Sequence, residues 1–519
     1  MEWRQSCRHC NVMTGLTDNI YLLTPEFALA GVALGIFMID LFLPQHRKDV
    51  LPWLSILGLI GVLLISLKLL WGQQESLYGG LLSIDAYSLF FKIAFLGLGV
   101  LIILTSIDFV KKFLDHPGEF YGLLLFSILG MNLMAQSREL LTAYISLELL
   151  SFSLYVLVSY GLQNAKSNEA SIKYIIIGAF SSAIMLYGIS LIYSALGVTH
   201  FASISMALTD LGETIPSLWA GVALIVVGFG FKLAVVPFHM WAPDTYEGAP
   251  FPITAYLAIG SKVAAVALLL RFVAEGILPA GDLWLEWQII FAVLAAVTML
   301  LGNLVALAQK NLKRLMAYSS IAHAGFILAG VAAMAPSSVL TANGILYYLI
   351  GYSVTSLLVF GPLISFFNST GQDDISDLGG LADRNPFLAA SIAIGLFSLA
   401  GLPIFAGFTI KFYLFTAVAQ GGLLWLAGLA VFSSLISLYY YLNVIRVMYI
   451  EPIPSSFDYD ISTESEGVSS LSTNLISRPS TPILIVIGIT LIAVVWLGVY
   501  PAPLLEGIEV ASEAILTGQ

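Results

Sequence analysis

Cysteine is nearly absent from this chain: Cys7 and Cys10 are the only two in 519 residues, with His9 between them. A structural zinc takes about four ligands and an iron–sulfur cluster usually four cysteines, so neither centre is expected here. Charge is also scarce. Only 10% of residues are Asp, Glu, Lys or Arg, against about 25% in a soluble domain, and 59% are hydrophobic. That excludes a soluble globule and puts the chain in a bilayer. A net charge of −11 argues against a nucleic-acid partner. No P-loop occurs, and Gly228 and Gly230 lie mid-span, where helix packing accounts for them better than phosphate binding. The chain is therefore expected to bind no cofactor or metal itself. The first residues are polar and the apolar run after them is long enough to remain as a span, so no cleaved leader is expected.

What the chain has instead is apolar runs of about 20 residues, each able to cross roughly 30 Å of hydrocarbon. They fall near 21–43, 51–71, 81–106, 119–136, 138–161, 168–196, 216–240, 251–273, 285–308, 312–334, 338–367, 385–419, 421–449 and 481–502. The expected fold is an all-α polytopic membrane protein of about 14 transmembrane helices. The twelfth run is too long for one straight helix and contains Gly401-Leu-Pro403-Ile-Phe-Ala-Gly407, so it reads as two half-helices around a break. A short tail (1–20) precedes the first span, and a Ser-, Thr-, Asp- and Glu-rich loop (451–480) precedes the last span and C-terminal tail (481–519). Alternating the loops gathers Arg47, Lys48, Lys111, Lys112, Lys166, Lys173, Lys310, Lys313, Arg314, Arg384, Arg446 and Arg478 on one side. Arg138 and Arg271, with the tail residues Arg4 and Arg8, fall on the other. The positive-inside rule then puts the basic loops in the cytoplasm or stroma and both termini opposite.

The segment 228–250 carries the most chemistry. It places Lys232 inside an apolar span, with Pro237 five residues later and His239 just beyond. A charge near the bilayer centre costs roughly 2.5–3.5 kcal/mol on insertion scales and is rarely idle. The proline frees backbone groups beside it, where water or a proton can enter. Glu148 lies about ten residues from either end of its span, roughly 15 Å deep, too far for a glutamate to reach water. Lys262 and Lys411 have similarly apolar neighbours, and His323 adds a group that titrates near neutral pH. A Glu–Lys pair whose separation changes can take up and release a proton. The alternative is that these charges pair statically and fix helix register. His239 either lines the path or caps the break. Asp244 and Glu247 either shape the polar turn that follows or collect protons at a mouth. Asp40, Lys68, Asp85 and Lys92 lie near span ends and are expected to snorkel to the interface.

Three segments carry a resemblance: Phe231-Lys232-Leu233 through Glu247-Gly-Ala-Pro250, Leu312-Lys-Arg-Leu-Met-Ala-Tyr-Ser-Ser-Ile-Ala-His323-Ala-Gly325, and Gly401-Leu-Pro403 with Gly407-Phe and Lys411-Phe. Together they resemble the antiporter-like subunits of respiratory complex I. Residues 167–174 and a lysine at 411 look most like the subunit 2 (B subunit) type of the photosynthetic complex, NDH-1, of cyanobacteria and chloroplasts. The resemblance implies two inverted five-helix repeats, here 119–273 and 285–449, after three N-terminal helices (21–118), with helices 7 and 12 broken. It implies that Glu148 is coupled to Lys232, that Lys262 is the central bridging lysine and Lys411 the exit lysine, and that His323 lies between the halves. Pro237 and Pro403 mark the breaks. It further implies a translocase complex with plastoquinone, NAD(P)H or ferredoxin and iron–sulfur clusters in partner subunits. The partners implied are other membrane-arm subunits, including sister antiporter-like subunits, and the site is a thylakoid membrane. A sodium/proton antiporter subunit is the competing expectation. Lysine-rich spans weigh against it, because Na⁺ favours oxygen ligands.

Overall fold

The computed structural model describes residues 19–161, 164–211, 216–335, 338–454 and 478–517. The cysteine-containing tail and most of the 451–480 loop lie outside these. Among the described residues, thirteen helices are long and apolar enough to cross a membrane. The fourteenth crossing is the broken one expected at the twelfth span. The helices are α1 (Thr24–Phe42), α2 (Leu51–Leu70), α3 (Ala86–Phe113), α4 (Pro117–Gln136), α5 (Leu140–Val158) and α6 (Ala165–Leu196). The short α7 (Phe201–Leu211), α8 (Pro216–Leu233) and α9 (Trp241–Gly248) follow, then α10 (Phe251–Tyr256), α11 (Lys262–Arg271), α12 (Asp282–Ala306), α13 (Leu312–Ala332) and α14 (Val339–Thr370). The chain closes with α15 (Leu381–Arg384), α16 (Pro386–Ala400), α17 (Ala406–Gln420), α18 (Leu424–Ile450), α19 (Thr481–Val499) and α20 (Ala502–Thr517).

Two helices break where expected. The seventh crossing stops at Leu233, where Ala234 takes a positive φ of 56°, and resumes at Trp241. The twelfth stops at Gly401 (φ 89°) and resumes at Ala406. Gly401 can adopt the left-handed end that Cβ-bearing residues avoid. Gly407 lets the second half approach the first: a Cβ there would collide with the Ser398 carbonyl, and its own N–H donates to Ser398 Oγ at 3.0 Å. Both breaks therefore lie where the backbone hydrogen-bond ladder is open.

Three details differ from the sequence reading. The third span does not begin at 81. Leu82–Ile84 is a strand, β2, paired antiparallel with β1 (Glu75–Leu77) through a turn at Gly79 and Gly80, both at positive φ. Asp85 then caps α3, accepting from the Ser88 N–H while Ser88 Oγ accepts from the Asp85 N–H. The eighth crossing runs past 273 to Ala280, because π-turns at Leu257–Ser261 and Phe272–Ile277 flank α11 without ending the helix. It is also the most enclosed crossing, buried along its whole apolar window. Consequently Arg271 is no loop residue but is fully buried.

Lys68 is exposed, but the expectation of snorkelling fails for Asp85 and Lys92. Both are buried because a second packed layer, α1 and α4 around Lys92 and the eighth crossing against Asp85, covers the ends of α3 and supplies counter-charges. Lys92 pairs with Glu26 on α1, and Asp85 with Arg271.

Candidate proton path

Helical spacing lays the buried charges into a row. On α5, Glu148 and Ser151 are three residues apart and share a face. Ser182 on α6 donates to the Glu148 carboxylate, and Lys232 Nζ donates to Ser151 Oγ at 2.5 Å. Glu148 and Lys232 thus form no ion pair within 4 Å. The Ser151 hydroxyl itself donates to the Leu147 carbonyl, so it does not hydrogen-bond Glu148 to Lys232. The Lys232 ammonium also lies 5.6 Å from the Tyr155 ring and 5.3 Å from that of Phe231, so ring faces substitute for a counter-ion. A small, largely apolar cavity is lined by Ser151, Lys232 and Ser261, the last residue of the π-turn that precedes Lys262.

From there α13 carries the row. Ser320, His323 and Phe326 follow at three-residue steps on one face. Lys262 Nζ donates to Ser320 Oγ at 2.7 Å. His323 Nδ1 lies 2.6 Å from the Tyr348 hydroxyl, and its ring packs on Tyr352 at 4.8 Å. The Lys411 ammonium sits 5.5 Å from the Phe326 ring. It also donates to the carbonyls of Leu399 (2.7 Å) and Ala400 (3.3 Å) and to Ser434 Oγ (2.8 Å). Those two carbonyls are orphaned by the break after α16, so the lysine caps the negative end of a half-helix inside the membrane. Pro403 lies within that break and Pro237 within the first. All five expected residues, Glu148, Lys232, Lys262, His323 and Lys411, therefore belong to one arrangement. Glu148 is half-buried at its outer end, and the other four are buried.

His239 is buried beside the first break with Nδ1 unpartnered. Asp244 and Glu247 are committed elsewhere: Asp244 pairs with Lys173 (2.8 Å) and Arg314 (2.7 Å), and Glu247 with Lys166 (3.1 Å) and Arg314 (3.0 Å). A carboxylate with two cationic partners is a poor proton collector near neutral pH. These residues clamp α9 to α6 and α13.

Sequence reasoning missed a second group of charges. Arg271 bonds both oxygens of Asp85 (2.8 and 3.0 Å), Glu275 (3.0 Å) and the Ala135 carbonyl (3.0 Å), and stacks on Tyr87 at 4.8 Å. Glu275 also holds Arg138 at 2.7 Å. The i,i+4 spacing of Arg271 and Glu275 was the available signal, and it was hidden by ending the span too early.

Residues 137–437 match the model of the family described as NADH:quinone oxidoreductase/Mrp antiporter, TM. NADH-quinone oxidoreductase subunit N of Desulforamulus reducens is 38% identical over 96% of this chain and 99% of its own length. The subunit N of Dehalococcoides mccartyi is 40% identical over 95% and 99%. A chain of respiratory complex I from Thermus thermophilus superposes with a TM-score of 0.74 at 28% identity, covering 94% of this chain and 100% of that one. A chain of the Mrp complex from a Dietzia species shares the fold alone, with a TM-score of 0.78 at 21% identity over 96% and 98%. The chain belongs to the NADH:quinone oxidoreductase/Mrp antiporter transmembrane family, as a subunit N-type, proton-translocating membrane subunit of complex I.

Proposed function

We propose that protons cross this subunit along the row Glu148, Lys232, Lys262, His323 and Lys411, driven by quinone reduction in partner subunits. The observation that carries this reading is that Lys232, Lys262 and Lys411 each have hydroxyl or carbonyl partners rather than a carboxylate. With no carboxylate beside it, a buried lysine has no fixed counter-charge holding its proton. A charge change at Glu148 acts electrostatically on Lys232. The proton then passes by Lys262 and Ser320 to His323, and leaves by Lys411 at the second break. His239 lines the entry at the first. In this reading residues 119–273 and 285–449 are the two inverted repeats, and the half-buried Glu148 faces a sister subunit. The basic loops face the cytoplasm or stroma, and the termini the opposite compartment.

The test is donor-driven acidification of inverted vesicles bearing Lys232→Ala, scored per assembled complex. Acidification is expected to collapse while assembly persists. Unchanged pumping per complex would make the lysine structural.

The motifs at 167–174 and Lys411 further support a photosynthetic NDH-1 type in a thylakoid membrane, with ferredoxin or NAD(P)H as donor and plastoquinone as acceptor. The subunit N names of the bacterial relatives favour a respiratory, NADH-driven complex instead. Supplying each donor in turn to the same vesicles separates the two. A sodium/proton exchanger, the reading that the Mrp fold likeness keeps in view, would show sodium-dependent exchange without any donor.

A further inference from the structure

Outside the row just described, and before the residues that match the family model, lies another buried ionisable pair. Lys92 on α3 is 1% exposed and Glu26 on α1 is 6% exposed, and Lys92 Nζ lies 2.5 Å from Glu26 Oε1. Gln136, the last residue of α4, donates to the same oxygen at 2.7 Å. We infer that Glu26 and Lys92 form a second proton-exchange site, located in the three N-terminal helices.

The argument rests on a contrast between neighbours. Ala135 and Gln136 are consecutive: the carbonyl of the first binds Arg271, and the side chain of the second binds Glu26. The Arg271 cluster is saturated, with Asp85 accepting from Arg271, Ser83 and the Ser88 N–H. Its cation is an arginine, which does not deprotonate in proteins. The Glu26 cluster is the opposite. Glu26 Oε2, Asn132 Oδ1 and Gln136 Oε1 are buried without a hydrogen-bond partner, and Lys92 Nζ has no acceptor beyond its ion-pair oxygen. Buried polar groups left in this condition are the places where bound water sits, at about three hydrogen bonds per molecule. A lysine is also the cation that can give up a proton. A purely structural pair would be better served by the arrangement found around Arg271.

Placement supports exchange too. Glu26 is in the first turn of α1 and Lys92 in the second turn of α3, so the pair lies about 10 Å or less from its helix starts. On the inner side, Asn132 lies one turn before Gln136 on the same face of α4, with its Oδ1 unpartnered. The cycle balances. Glu26 carboxylate takes one proton from water, Lys92 ammonium releases one to water, and transfer from the carboxylic acid to the amine restores the ion pair. One proton enters and one leaves.

This inference rests on the chain being a proton carrier, and the experiment separates the two ideas. Lys92→Arg keeps the charge and the ion pair but removes the releasable proton. In the assembled complex in vesicles, quinone reduction and assembly are expected to stay near wild type, while protons moved per electron fall. Wild-type proton yield from Lys92→Arg, with yield lost in Lys232→Ala, overturns this site alone. Wild-type yield from both overturns the carrier reading as well. Should Lys92→Arg assemble poorly, the neutral double variant Glu26→Gln/Lys92→Met serves: a static pair predicts full yield per assembled complex, and an exchange site predicts the same loss.

Discussion

Replacing Arg271 with leucine is expected to destabilise the fold by about 3–5 kcal/mol, the cost of removing one partner from a buried ion cluster. Arg271 is fully buried, and its loss leaves Asp85 and Glu275 facing each other without their shared cation, along with an unpaired Ala135 carbonyl. The measurement is the yield of folded, detergent-extracted chain and its unfolding midpoint. A variant that accumulates and melts like wild type would refute the assignment of this cluster as the clasp between the eighth crossing and the three N-terminal helices. The clasp also has a pH signature. Burial alone would raise the Asp85 carboxyl, but the charge and hydrogen bonds of Arg271, the Ser88 N–H and the Ser83 hydroxyl outweigh it and hold the group below its ordinary value. A carboxyl depressed in the folded state contributes stability above its unfolded value, near 3.9, and loses it as pH falls through the lower folded value. Acid sensitivity from this residue is thus expected only below about pH 4, and Asp85→Asn should abolish that component.

The second large effect concerns Lys411. Lys411→Met is expected to slow proton delivery through this chain by about 100-fold or more, the usual contribution of a positioned proton-transfer group. The same change strips the lysine donor from the Leu399 carbonyl, at about 1–3 kcal/mol for a buried group left unsatisfied, while the Ala400 carbonyl keeps Ser434 Oγ. Pumping and structure must therefore be read apart, and Lys411→Arg does this. Arginine can still cap the end of α16, but it keeps its proton. Acidification per assembled complex should be lost in both variants, and the stability penalty should appear chiefly in Lys411→Met. Normal pumping with arginine would reduce Lys411 to a helix cap.

Much of this protein was legible before any coordinates. Apolar length gave the crossings, and Pro237 and the Gly401–Gly407 motif gave both breaks. Lone charges in apolar runs singled out Glu148, Lys232, Lys262, His323 and Lys411. The errors over buried charges come from reading depth along the chain. Lys92 and Asp85 were judged by distance along the chain from the nearest span end, which predicts access to water only if nothing packs over that end, and Arg271 was assigned to a loop because its span was ended at 273. Here α1 and α4 cover Lys92, and the extended eighth crossing reaches Asp85. The β1–β2 hairpin was missed because three-residue strands in an apolar stretch look like the start of a helix.

The sequence by itself determined that the chain crosses a bilayer many times, where its helices yield, and which side chains carry ionisable protons at depth. Those properties follow from transfer energies and backbone chemistry, which are local. Only the tertiary structure decided what each charge meets: Lys232 a serine rather than Glu148, Lys411 the open end of its own broken helix, Arg271 a carboxylate 186 positions away in the chain. Whether a buried ion is a carrier or a clasp depends on those partners, and partners are set by packing between helices that sequence order does not encode.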